Sequence, residues 1–392
     1  MHSAPLDLAD PRFKADPFPT YARLRAEAPV FRTRIWGGQP AWLVTRYDHV
    51  AALLRDPLFA KNPAAAKASG APVPWTPPFL RPLTRNMLDL DAPDHTRLRA
   101  LVQKAFTPRL VERLRPRVEA LADELIGRAR REGRLELVRG YALPIPLTVI
   151  SELLGVDSAH QDRFHRWTST VVSATPGIGA VRILPSLWAM FRYLRAQFVL
   201  RRREPRDDLM TALVQATDGG DRLSGDELLG MVFLLLAAGH ETTVNLIAGG
   251  VLALLEHPDQ RAALASRTAV EELARFVSPV DVATERYARE EVEIAGVRLR
   301  RGEMVLGALG SANRDEAHFP APDALDLARD PNRHLAFGLG AHYCLGAPLA
   351  RLEASIAIPA LLERLPGLRV AGPVHWRRHV FLRGPREVPL AF

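Results

Sequence analysis

Phe337-Gly338-Leu339-Gly340-Ala341-His342-Tyr343-Cys344-Leu345-Gly346 decides how this chain is read, because it holds the single cysteine among 392 residues. A lone cysteine forms no intramolecular disulfide and supplies no multi-cysteine zinc site. Three roles remain: a small buried hydrophobe, a nucleophile, or one thiolate ligand. The flanks favour a low thiol pKa. Glycines ahead of Cys344 let the backbone turn tightly and aim N–H groups at the sulfur. Behind it, Ala347-Pro348-Leu349-Ala350-Arg351-Leu352-Glu353-Ala354 reads as a helix with proline in its first turn. A sulfur at a helix N-terminus has its anion stabilised by the dipole and the open N–H groups.

Working outward, 47% hydrophobic and 24% charged residues are the proportions of a soluble globular protein with an ample core. No internal repeat and no Gly/Ser linker divides the sequence, so residues 1–392 are expected to form a single domain. The opening Met1 to Asp10 has neither a basic n-region nor an apolar h-region, and one cysteine suits a reducing compartment. A cytoplasmic protein without a membrane anchor is expected. The net charge of +8 raises nucleic-acid binding, but the arginines are scattered. The one tight cluster, Arg201-Arg202-Arg203, is followed by Glu204, Asp207 and Asp208 and reads as a solvated helix end. An acidic protein partner fits better than a nucleic acid.

Along the chain, Tyr21 to Ala28 reads as helix, Ala41 to Thr45 as strand and Asp48 to Leu54 as helix. Asn62 to Arg85, rich in proline but holding Trp75 and Phe79, reads as a long loop that is either mobile surface or a binding lid. Helices dominate from Ala92 to Leu264. Val292 to Leu299 reads as a hairpin turning at Ala295-Gly296, and Val370 to Pro389 looks extended. Pro359 is expected to kink the helix behind Cys344.

Ser224-Gly225-Asp226-Glu227 has capping-box spacing and opens a long apolar helix that runs to His257-Pro258. Such a span is either a core helix or a membrane crossing. Its midpoint carries His240, Glu241 and Asn245, and one acid there costs roughly 2.5–3.5 kcal/mol in a bilayer, so a core helix is expected. Gly239 lets a bulky group approach the backbone. Glu241 and Thr242 make an acid–alcohol pair able to carry protons to a buried reactive centre. The plain alternative is a polar helix–helix contact.

Phe-x-x-Gly-x-His-x-Cys-x-Gly closely resembles the haem-binding loop of the cytochrome P450 family. Ala238-Gly239-His240-Glu241-Thr242-Thr243, about 100 residues upstream, resembles its oxygen-activation motif, and Glu272-x-x-Arg275 resembles its structural Glu-x-x-Arg element. The resemblance implies a mainly α fold with a minor β component, haem b lying between the long central helix and the Cys-loop helix. It implies Cys344 as the iron ligand, with Phe337, Gly338, His342 and Gly346 shaping the loop, Ala238 against the haem, and His95, Arg99, Arg286 and His342 at the propionates. Glu241 and Thr242 become the proton relay.

The implied activity is a monooxygenase that inserts one oxygen atom of dioxygen into a hydrophobic small molecule, by hydroxylation or epoxidation, in secondary metabolism. By position, its pocket draws on Trp75, Phe79, Leu184, Trp188, Leu235, Val282, Ala283 and Phe381. A terpenoid, steroid, fatty acid or polyketide would suit these side chains. Electrons must come from outside, since Tyr343 stands where a dinucleotide fingerprint needs its third glycine and one cysteine holds no iron–sulfur centre. A ferredoxin served by an NAD(P)H-dependent reductase is the implied donor to a monomer, docking on Arg97, Lys104, Arg109, Arg113 and Arg351. A peroxide-driven oxidase of the same fold and a non-catalytic haem sensor are the alternatives; the presence of Glu241 and Thr242 favours oxygen activation.

Overall fold

The structure, a computed structural model, describes residues 6–35, 37–66, 80–84, 86–156, 160, 163–164, 166–167, 179–218 and 220–392. The chain divides into two compact units interleaved in sequence: residues 1–72, 118–144 and 242–392 make one, residues 73–117 and 145–241 the other.

The first unit is organised on a five-stranded sheet in the order Val30–Ile35, Gln39–Val44, Met304–Gly307, Arg286–Ala288, Phe59–Ala60. The first two strands are antiparallel, with Ile35 opposite Gln39. Gly37 and Gly38 close that hairpin at φ +66° and +93°, which glycine adopts without strain. Met304–Gly307 joins parallel to Gln39–Val44, so chain segments far apart in sequence share one sheet. One apolar cluster gathers Val50, Leu53, Phe59, Ala283, Val305 and Leu335; another gathers Tyr21, Leu24, Leu43, Val282, Leu306 and Val380. A buried Lys14 Nζ donates to Asp281 Oδ2 at 2.5 Å and Tyr21 Oη donates to the same oxygen at 3.0 Å, pinning the N-terminal helices to the segment that carries Val282.

The second half of the central helix, Gly225–Glu256, packs in this unit against the helices Ala269–Val277 and Ala347–Arg364. A Cβ on Gly249 would lie 2.4 Å from Val277 Cγ1, and one on Gly250 would lie 2.8 Å from Ile358 Cδ1. The glycine pair is what lets the helix behind Cys344 approach this closely. That helix runs unbroken through Pro359.

The second unit is helical: Asp94–Ala105, most of Pro144–Leu153, Gly179–Arg203, Leu209–Gln215 and the first half of the central helix. Its Gly230 faces the Pro82 carbonyl, 2.6 Å from where a Cβ would stand. The Arg201-Arg202-Arg203 cluster is not uniformly solvated. Arg201 is fully buried, donating to Asp208 Oδ2 at 2.6 Å and to the Gly155 carbonyl at 2.7 Å, while Arg202 and Arg203 are exposed.

Local readings fare well. Ser224 and Glu227 form the capping box reciprocally, at 3.3 and 2.8 Å. Ala295 and Gly296 turn the hairpin with φ +49° and +77°. The 62–85 stretch is less loop-like than expected at its ends, where Pro63–Ala66 and Arg81–Thr84 wind into single helical turns.

Candidate active site

The turn that presents Cys344 is built by its glycines. Gly338 and Gly340 stand at φ +70° and +73°, where any side chain is strained. Gly338 N–H donates to the Leu335 carbonyl at 2.8 Å, Tyr343 N–H to the Gly340 carbonyl at 3.1 Å, and Cys344 N–H to the Phe337 carbonyl at 2.9 Å. Gly346 caps the helix Ala347–Arg364, which places Cys344 two residues ahead of that N-terminus. Cys344 is exposed in this turn. His342 lies half-buried in the short helical turn Gly340–His342.

Arg286 reaches the same turn from the sheet. It is buried, with Nη2 3.3 Å from the Leu54 carbonyl and Nη1 3.4 Å from the Phe59 carbonyl. A Cβ on Gly340 would lie 2.9 Å from that Leu54 carbonyl. One carbonyl at the end of the helix Tyr47–Arg55 thus meets both the cysteine turn and Arg286, and the structure brings the two together. His95 and Arg99 lie one turn apart on the helix Asp94–Ala105 in the other unit, His95 buried and Arg99 half-buried.

Beneath the loop sits a dense ionic hub. Arg275 Nε and Nη2 donate to the two oxygens of Glu272 at 2.7 and 2.8 Å, both side chains being fully buried. Glu272 also accepts from Arg329 Nε, Asn332 Nδ2 and Asp326 N–H. Arg275 in turn donates to the Asn313, Pro322 and Ala324 carbonyls. The Glu-x-x-Arg pair therefore ties the 313–332 segment, which leads into the cysteine loop, to the helix Ala269–Val277. Its neighbour Glu271 binds Arg351 and His334. Burial alone raises its carboxyl pKa, but the hydrogen bonds and charges of those partners outweigh burial and hold it at about 2.

The central helix is buried on most sides but not on all. Leu234, Leu235, Ala237, Ala238, Glu241 and Thr242 are part-buried or exposed, whereas Leu236, His240, Thr243, Val244 and Asn245 are buried. Phe233 and Gly239 are part-buried as well, so between Phe233 and Thr242 only Leu236 and His240 are buried and the accessible face is broad. This face is apolar except at Glu241 and Thr242. The helix is also long and apolar enough to cross a membrane, yet 56% of its most apolar window is buried within the fold.

A family model for cytochrome P450 matches residues 266–366, which include the Glu-x-x-Arg pair and the cysteine turn. Cytochrome P450 107B1 of Saccharopolyspora erythraea is 45% identical over 97% of this chain and 96% of its own length. The chain belongs to the cytochrome P450 family. The mycinamicin IV hydroxylase/epoxidase of Micromonospora griseorubida is 44% identical over 95% of this chain and 94% of its own. Among solved structures, the bacillaene polyketide synthase cytochrome P450 PksS of Bacillus subtilis has a TM-score of 0.91 at 39% identity, covering 98% of this chain and 99% of that one. The protein is a cytochrome P450 monooxygenase.

P450s carry haem on a thiolate, and the residues of this P450 fit that group. An exposed cysteine stands before a helix N-terminus, and a buried arginine adjoins its turn. Each of these suits one part of a flat apolar macrocycle with a metal and two carboxylates.

Of the expected pocket residues, Trp75 and Phe79 lie outside the described residues. Leu184 is half-buried on the helix Gly179–Arg203, and Leu235 lies on the accessible face. Phe381 is half-buried against an apolar cluster, and Ala283 packs in the neighbouring one. Two placements differ from expectation. Val282 is a core residue, fully buried with Tyr21 and Leu306. Trp188 is 60% exposed with Arg192 4.3 Å over its ring, because the buried face of its helix is Leu187, Met190, Phe191, Leu194 and Phe198. Most of the basic residues assigned to donor docking are engaged within the chain: Arg97 with Asp221 and Glu227, Lys104 with the Thr217 carbonyl, Arg113 with Asp207 and Arg351 with Glu271. Arg109 is exposed.

Spacing did not reveal Glu271, Arg329, Asn332 or His334, whose partners lie 57 to 80 residues away. The only local signal was the doubled acid Glu271-Glu272.

Proposed function

We propose that this P450 oxidises a hydrophobic small molecule of the polyketide class, by hydroxylation or epoxidation, as one catalytic domain spanning residues 1–392. What carries the reading is the acid–alcohol pair Glu241–Thr242, the polar interruption of the accessible apolar face of the central helix. The relatives support the substrate class: PksS, the B. subtilis relative, is named for polyketide biosynthesis.

By the family resemblance Cys344 would hold haem b through its thiolate, Phe337, Gly338, His342 and Gly346 would shape the turn, and Ala238 would be among the residues that bind the group. Arg286, His95, Arg99 and His342 would take the propionates by charge-assisted hydrogen bonds. Bound in this way, haem supplies reductive activation of dioxygen, favoured by thiolate electron donation. The rest is the chain's own work. Glu241 would take up protons from solvent, and the Thr242 hydroxyl would pass them on and hold a water beside it. The family resemblance gives Leu235, Ala283 and Phe381 as side chains that would exclude bulk water and orient an apolar substrate. Electrons arrive from a separate ferredoxin and its NAD(P)H-dependent reductase, since one cysteine cannot hold an iron–sulfur cluster.

The test begins with the reduced, carbon monoxide-treated protein. A strongly red-shifted Soret band is expected, lost in Cys344→Ser; a band unchanged by that substitution removes Cys344 as ligand. Turnover of a polyketide substrate with ferredoxin, reductase and NAD(P)H comes next. Product only with peroxide, or spectral binding without product, would replace the monooxygenase reading with a peroxide-driven oxidase or a sensor.

A further inference from the structure

The turn presenting Cys344 is gripped by three side chains that neither relay protons nor line the pocket. Arg351, in the second turn of the helix Ala347–Arg364, donates Nε to Glu271 Oε1 at 2.6 Å and Nη2 to Oε2 at 3.0 Å. His334 Nε2 lies 2.9 Å from the same Oε2, and its Nδ1 accepts the Ala336 N–H at 3.1 Å. With Nδ1 an acceptor, Nε2 carries the proton and donates to the carboxylate. Glu271 itself stands on the first turn of the helix Ala269–Val277, beside the buried Glu272 hub. Its carboxylate is therefore anchored beside the buried Glu272–Arg275 pair.

From that anchor Arg351 reaches both ends of the cysteine turn. Its guanidinium lies 4.4 Å over the Phe337 ring, and Nη2 donates to the Tyr343 hydroxyl at 3.2 Å. Phe337 supplies the carbonyl that accepts the Cys344 N–H, and Tyr343 directly precedes Cys344. The His334 ring packs tilted against Phe337, with ring centres 5.8 Å apart and planes at 52°. The bidentate fork fixes the guanidinium plane, which a lysine would not do. Side-chain exposure is 5% for His334, 26% for Glu271 and 34% for Arg351, so the group is more enclosed than an ordinary surface ion pair, whose worth is small.

We propose that Glu271, His334 and Arg351 are positioning residues for Cys344, fixing the first and last residues of its turn and hence the direction and donor strength of the sulfur. The inference rests on Cys344 being the iron ligand. It assigns Arg351 a different task from partner docking: its guanidinium faces the loop of its own chain. Loosening the group leaves the sulfur freer to take up a proton or leave the iron, while gross folding is kept by the separate Glu272–Arg275 hub.

The experiment needs no substrate and no redox partner. Haem-loaded wild type, Glu271→Gln, Arg351→Met, Arg351→Lys, Tyr343→Phe and the Glu271→Gln/Arg351→Met double variant are reduced with dithionite under carbon monoxide. The rate at which the red-shifted band decays to the ordinary position is followed, and the haem reduction potential is measured separately. Glu271→Gln and Arg351→Met are expected to decay roughly tenfold faster, the effect of losing one charge-assisted contact. Their potential rises, because a weaker thiolate donor stabilises the ferric state less. Arg351→Lys does not rescue, Tyr343→Phe moves the same way by less, and the double variant is no worse than Arg351→Met. Unchanged decay and potential in the folded single variants, or additive effects in the double, overturn the proposal. Should Glu271→Gln or Arg351→Met fail to fold, Tyr343→Phe decides alone, and its identity with wild type overturns it. A wild type with no red-shifted band would instead refute the ligand reading on which this one rests.

Discussion

Replacing Glu272 by glutamine keeps the side-chain volume and changes one oxygen to an NH2, yet it strikes a crowded, fully buried acceptor. The carboxylate collects Arg275 Nε at 2.7 Å and Nη2 at 2.8 Å, Arg329 Nε at 3.2 Å to each oxygen, Asn332 Nδ2 at 2.9 Å and Asp326 N–H at 3.0 Å. Glu272 and Arg275 have no solvent exposure, and Arg329 has 9%. In the glutamine variant two buried guanidinium groups lose their counter-charge, and a new donor faces donors. Breaking a buried pair in this way costs about 3–5 kcal/mol. Unfolding entropy of about 2.1 cal/mol/K per residue over 392 residues converts that loss into a fall of about 4–6 °C in Tm. Thermal melting of the haem-loaded protein by far-UV circular dichroism measures it. The shift should be nearly independent of salt, because the pair is shielded from ions in solution. A fall of less than about 1 °C, or one that vanishes in high salt, would refute the view that this hub holds the cysteine loop's platform.

Further outcomes follow from single contacts. Gly340→Ala places a Cβ 2.9 Å from the Leu54 carbonyl at a φ of +73° and should cost about 1–3 kcal/mol; the check is haem content after expression, with wild-type occupancy counting against the strain. Glu353 is fully buried, both its oxygens lack a hydrogen-bond partner among the described residues, and burial raises its pKa well above the ordinary 4.5. The folded state therefore keeps this proton longer than the unfolded chain, so its contribution is intact below about pH 4.5 and is lost as pH rises toward the folded value. Glu353→Gln should remove that loss, and urea titrations across pH should show the variant gaining on wild type toward neutrality; parallel curves would mean that the carboxyl is ionised in the fold. Thr242→Ala should leave NAD(P)H consumption largely intact while diverting it to peroxide, read as the ratio of product to cofactor consumed, and an unchanged ratio would remove Thr242 from the relay.

The features legible in the sequence were those whose chemistry sits within a few residues. The cysteine turn shows itself by its glycines, the capping box by Ser224 and Glu227, and the Glu272–Arg275 pair by i, i+3 spacing, because each is closed by local geometry. What escaped is what the tertiary fold assembles. Asn332 and Arg329 reach Glu272 across 60 and 57 residues, and Arg351 reaches Glu271 across 80; no periodicity marks such partners. Trp188 shows the limit of an apolar pattern. Leu187 and Trp188 are adjacent, and only packing decides that Leu187 faces inward. Val282 likewise reads as a pocket wall by position, while Tyr21, Leu306 and Val380 enclose it in the core.

The Leu54 carbonyl has a consequence for how the molecule comes into being. It lies in the first seventh of the chain, touches the Arg286 guanidinium and leaves no room for a side chain on Gly340. The strand Gln39–Val44 waits in the same way for Met304–Gly307, and Leu135–Glu136 for Pro389–Ala391. Early-synthesised segments thus carry half-built surfaces until their distant partner strands are made. During that interval the strand Gln39–Val44 has one edge without its eventual neighbour, a template for pairing with other chains. The interval before the distant strand is made, when that edge is open, is therefore the one in which pairing with other chains competes with folding.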